Sequence, residues 1–232
     1  MKMGGFDPGD SIEVSVDPRL PIMGYTRPEG KGYRIVVSGG AVESGMLEGL
    51  LLHELSHVYR MRTGHPSHNG QLVGGVVESL GREVLRSGYK QQIIYNLTNN
   101  IEDLYADDIS IRMMRQGGLV RTDVLSRFLQ DWVSEEPAKV PDAIKARWSD
   151  SWTMANNARA IGQMARHGVE DVGGRAALAN RRFLSLIDPS IADRYGYFLE
   201  LLTNLREDIS SDEYRQLLSE YLRNFVEMAE GR

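Results

Sequence analysis

The chain has 232 residues, 41% hydrophobic and 25% charged, an ordinary globular balance with enough length to bury a core. A net charge of −5 argues against a nucleic-acid grip built on bulk positive potential. Cysteine is absent, which excludes disulfides, thiolate metal ligands and a Cys nucleophile, so any metal must be held by His and carboxylate.

The first ten residues are rich in Gly, Asp and Pro and are expected to be loose. They contain no apolar signal core, and no 18-residue apolar span follows, so the expectation is a soluble, cytoplasmic protein with no membrane and no nucleic-acid partner. Residues 12–16 alternate apolar and polar and predict a strand ended by Asp17-Pro18. Residues 20–31 carry Pro21, Gly24, Pro28 and Gly30 and are expected to be a loop. Residues 33–37 predict a second strand, closed by Ser38-Gly39-Gly40. It is either an ordinary structural strand or an edge strand beside the next helix on which an extended peptide can pair.

An apolar run over residues 46–52 leads into His53-Glu54-Leu55-Ser56-His57, the pattern His-Glu-x-x-His. A helix over residues 44–62, stopped by Gly64 with Pro66 beyond, puts His53 and His57 one turn apart on one face, where both imidazoles can reach one cation. Glu54 is rotated by about 100° and is free to act as the general base of a zinc hydrolase. Leu51, Leu55 and Val58 pack the opposite side of the helix into a core. His65 and His68 follow eight and eleven residues after His57 and are expected as loop residues near a cleft mouth. Residues 76–86 predict a helix that contains a glycine.

Residues 96–110 predict a further helix, with Ile101, Leu104 and Tyr105 on one face and Asn96, Asn99, Asp103, Asp107 and Ser110 as a polar stripe, Glu102 on its flank. A two-His site needs a third ligand, and one carboxylate from this helix would leave an open position for water. Such a pair of helices resembles the gluzincin-like zinc metallopeptidases. Asp103-Leu104-Tyr105-Ala106-Asp107 is similar to the Glu-x-x-Ala-Asp of the membrane-embedded HtpX-type peptidases, with Asp in place of Glu. The resemblance covers residues 33–110. It implies a zincin-like domain, Zn²⁺ as cofactor, Asp103 as third ligand with Glu102 as the alternative, and Asp107 orienting a ligand histidine from behind.

The rest predicts helices: 122–134; a long one opened by Pro141 with Ile144, Trp148 and Trp152 at four-residue spacing; 175–187; 190–206 after the cap Asp188-Pro189; and a last one opened by the capping box Ser210–Glu213. His167 is expected at the surface. The fold class is therefore α+β, with a zincin-like domain over 1–118 and a mostly helical part over 119–232. The expected activity is hydrolysis of peptide bonds in a peptide or unfolded protein, with Glu54 taking a proton from metal-activated water. The oxyanion stabiliser is open among Tyr59, Tyr105, His65, His68 and His167. The competing expectation is an inactive or latent zincin-fold binding protein.

Overall fold

The computed structural model describes residues 1, 4–9 and 11–232, the side chain of Glu83 excepted. Positions 2, 3 and 10 of the expected lead-in lie outside the described residues. The chain is α+β, largely helical with one small sheet.

The sheet has three strands: β1 (Ile12–Asp17), β2 (Gly24–Glu29) and β3 (Gly32–Ser38), in the order β1-β3-β2. β1 runs parallel to β3, with Val14 opposite Ile35, and β2 runs antiparallel to β3, with Thr26 opposite Ile35. One expectation is corrected and one alternative is decided. Residues 20–31 hold a strand, because Pro28 is tolerated on an edge strand and Gly30, at φ +57°, turns β2 into β3. The strand over 33–37 is central rather than an edge, since both of its sides are paired.

Helix α1 (Gly39–Glu43) is short, and Gly45, at φ +70°, separates it from α2 (Leu47–Arg62), so the motif helix starts three residues later than 44. Ile35, Val37 and Val58 form a fully buried cluster on which Ile12, Tyr33, Leu50, Leu51 and Leu55 pack. The face of α2 opposite its histidines is thus fixed on the sheet, as the periodicity predicts. Described residues of the lead-in are docked here too: Phe6 meets Tyr59 edge-on at 5.3 Å, and Arg62 Nη1 donates to the Asp7 carbonyl at 3.0 Å.

Further on come α3 (Gly70–Ser79), α4 (Arg82–Leu85) and α5 (Gly88–Gln116). The single helix expected over 76–86 is broken at Gly81, whose φ of +89° is left-handed. From Leu104 to Ile111 every residue of α5 is buried, Asp107, Asp108 and Ser110 included, so this stretch is a core helix and no solvated stripe.

The chain divides into two compact units, one of residues 1–69 and 102–121, the other of 70–101 and 122–232. Residues 70–101 therefore group with residues 122–232. The second unit adds α6 (Thr122–Gln130), α7 (Ala143–His167), α8 (Arg175–Leu186), α9 (Pro189–Ala192), α10 (Tyr195–Thr203) and α11 (Ser211–Glu230). The helix expected over 190–206 is two pieces, α9 and α10. Trp148 of α7 is fully buried and meets Phe225 of α11 edge-on at 5.8 Å, and the Ser210–Glu213 capping box is formed. Among the described residues no helix is long and apolar enough to cross a membrane.

Candidate metal centre

The site is built wholly within the first unit, from α2, the turn after it and the second half of α5. His53 and His57 stand one turn apart on α2, their rings edge-to-face and their Nε2 atoms 3.0 Å apart. Asp103 Oδ1 on α5 lies 3.8 Å from His53 Nε2 and 3.6 Å from His57 Nε2. The circle through those three atoms has a radius of about 2.0 Å, the length of a Zn–N or Zn–O bond, so one point is in bonding range of all three. All three residues are half-buried, as a site with an open side requires.

The hydrogens decide what those atoms offer. His53 Nδ1 is 2.7 Å from Asp107 Oδ1, which also accepts from Ser110 Oγ at 3.1 Å. An ionised carboxylate only accepts, so His53 Nδ1 carries a hydrogen. Asp107 is thus the acceptor that holds the His53 ring from the side away from Nε2. His57 Nδ1 is 2.8 Å from His68 Nε2, so each motif imidazole is held from behind and turns Nε2 towards the other. Two lone pairs 3.0 Å apart repel, and a proton or a cation must lie between them. Burial pushes the His53 imidazole down, but the Asp107 charge and hydrogen bond, with Asp103, outweigh it and set its pKa at about 9. Burial, with the charge of His53, holds His57 well below the usual range. At neutral pH the proton belongs to His53, and an entering cation must displace it.

Glu54 is 4% exposed, and Thr26 Oγ1 on β2 donates to its Oε2 at 2.6 Å. Burial raises the Glu54 pKa, against the pull of His53 and of the Thr26 bond, which favours a base that works nearer neutrality. A side chain at Gly24 would come within 3.1 Å of the Val36 carbonyl and 3.3 Å of Glu54 Oε1, so the bare backbone there makes room for the carboxylate.

Glu102 is half-buried beside a different partner, its Oε1 3.6 Å from His68 Nε2, in a group with His57 and His68. Burial and Asp103 push it up to about 7. Of the two candidate carboxylates, Asp103 therefore faces both Nε2 atoms and Glu102 faces His68.

His68 is corrected from a cleft-mouth residue to a buried one, with a side chain 0% exposed. The cause is the end of α2. The Gly64 N–H bonds the Met61 carbonyl and the His65 N–H bonds the Arg60 carbonyl, a Schellman pair closed by Gly64 at φ +68°. It turns the chain back into a 3₁₀ turn over Pro66–His68, which delivers His68 behind His57. His65 caps that turn and lies 4.6 Å from the Tyr105 ring. Tyr105 is fully buried, Tyr59 packs on Phe6, and His167 is half-buried at the end of α7 in the second unit.

Thr26 and His68 are the contributors that sequence reasoning missed. The Tyr25-Thr26-Arg27 run was the available strand signal for the first. For the second there was only a His after a Gly-stopped helix.

No curated protein and no solved structure matches this chain. The model of a family of unknown function, DUF5781, matches residues 12–227, and the chain belongs to that family.

Proposed function

We propose that the protein is a zinc-dependent metallopeptidase with a zincin-like catalytic domain, His53, His57 and Asp103 holding the metal and Glu54 serving as general base. The observation that carries this reading is the convergence of His53 Nε2, His57 Nε2 and Asp103 Oδ1 on one point about 2.0 Å from each, with Glu54 on the same helix as the two histidines. Two neutral imidazoles and one carboxylate are the donor set that Zn²⁺ takes in catalytic sites, with a fourth position open.

When bound, Zn²⁺ supplies Lewis acidity and lowers the pKa of water in that position. The chain's own residues do the rest. Asp107 and His68 hold the two imidazoles in orientation from behind. Thr26 fixes one oxygen of Glu54, leaving the other to accept the water's proton and pass it to a leaving amine. The substrate class proposed is a peptide or unfolded chain. β2 supports it: it is the outer strand on the side of Glu54, and an extended backbone can add along such an edge.

The experiment is metal content and proteolysis of unfolded casein by the wild type and by Glu54→Gln. The expected result is about one zinc per chain in both, with cleavage only in the wild type. A second reading, a zinc-holding binding protein without activity, is favoured by the deep burial of Glu54. Zinc in both proteins with cleavage in neither would select it, and no zinc in either would overturn both.

A further inference from the structure

The hydrogen-bond chain behind His57 has a fixed direction at every link. It starts at a backbone group: the Ser67 N–H donates to His65 Nδ1 at 3.3 Å, so that nitrogen carries no hydrogen. Ser67 Oγ lies 2.8 Å from the same His65 Nδ1 and 2.8 Å from His68 Nδ1. A hydroxyl has one hydrogen, and His65 Nδ1 can only accept, so Ser67 donates there. The Ser67 oxygen therefore accepts from His68 Nδ1, which must carry its hydrogen. A neutral imidazole protonated on Nδ1 has a bare Nε2, and His68 Nε2 is the atom 2.8 Å from His57 Nδ1. His57 is the donor in that bond, and its own Nε2 is left as a lone pair facing His53 Nε2 and Asp103.

We propose that His68 is a positioning residue for the metal centre, which fixes His57 in the Nδ1–H tautomer by accepting its hydrogen, in a chain set by the backbone of the turn after α2. This rests on the metal reading above and adds to it the residue that stands behind the second motif histidine.

The His68 side chain is out of solvent, held between Ser67 Oγ and His57 Nδ1. The two ligand imidazoles are consequently backed differently, His53 by a carboxylate and His57 by a neutral ring. A carboxylate makes an imidazole a stronger donor than a neutral acceptor does.

The test uses the full chain, with imidazole ¹⁵N spectra with and without zinc, and zinc affinity by chelator competition. The variants are His68→Leu, which lacks an acceptor, and His68→Gln, whose side-chain carbonyl can accept. The expected results are His57 protonated on Nδ1 in the wild type, zinc bound about 10–100-fold more weakly by His68→Leu, and most of that loss recovered in His68→Gln. A His57 protonated on Nε2 overturns the proposal, as do unchanged affinity in His68→Leu and equal losses in both variants. Two zinc ions in the wild type and one in His68→Leu would make His68 a ligand and also overturn it. A wild type that binds no zinc yet keeps His57 protonated on Nδ1 removes the metal reading and leaves the chain of hydrogen bonds standing.

Discussion

Removing the third ligand separates the two carboxylates of α5. Asp103 Oδ1 is the oxygen placed 3.6 and 3.8 Å from the two Nε2 atoms, whereas Glu102 Oε1 lies 3.6 Å from His68 Nε2. Zinc held by a full protein ligand set binds with about 10–16 kcal/mol, so one ligand of three or four accounts for roughly 3–4 kcal/mol. Asp103→Ala leaves only two imidazoles, with water filling the gap. Its expected loss of zinc affinity is at least about 100-fold, since each 1.4 kcal/mol is about tenfold. Glu102→Ala removes a group that faces His68 rather than the two Nε2 atoms and is expected to stay within about threefold of the wild type. Competition with a chromophoric chelator at pH 7.5, beside metal content after dialysis, gives both values. Zinc kept by Asp103→Ala and lost by Glu102→Ala would refute the assignment.

Four further outcomes follow from the structure. His53 has a pKa raised to about 9, so its protonated pair with Asp107 stabilises the metal-free fold fully below about pH 6.5 and that contribution is lost as pH rises through about 9. Zinc displaces this proton, so about one more proton per zinc is released at pH 7.5 by the wild type than by Asp107→Asn, and calorimetry in buffers of different ionisation enthalpy should find that difference. Thr26→Val removes the donor to Glu54 Oε2 and raises the Glu54 pKa further; the acid limb of the proteolysis profile should move to higher pH at constant zinc content, and a static limb would detach Thr26 from the base. Ser210→Ala opens the capping box of α11 and should cost about 1 kcal/mol in urea unfolding with zinc affinity unchanged.

The parts of the site legible in the sequence are those with a helical period. His53 and His57 on α2, and Asp103 and Asp107 on α5, are each four residues apart, and that spacing alone puts each pair on one face. The apolar residues that seat α2 on the sheet were legible for the same reason. What the period does not carry was missed. β2 is a half-exposed edge strand with little apolar alternation, and its Gly24 and Pro28 resemble loop punctuation. Yet Gly24 is small because Glu54 lies against it, and Pro28 is allowed because the strand is an edge. His68 reaches His57 only through the turn at Gly64, and no spacing rule encodes the direction in which a chain leaves a helix. The burial of the polar stripe of α5 around Asp107 was not legible, because its polar groups are satisfied by His53 and Ser110, whose positions only the fold supplies.

The most direct measurement is a crystal structure of the zinc-loaded protein with diffraction recorded at the zinc edge. One anomalous peak is expected, about 2.0–2.1 Å from His53 Nε2, His57 Nε2 and an Asp103 carboxylate oxygen. A peak among His57 Nδ1, His68 and Glu102, or no peak at all, would contradict it.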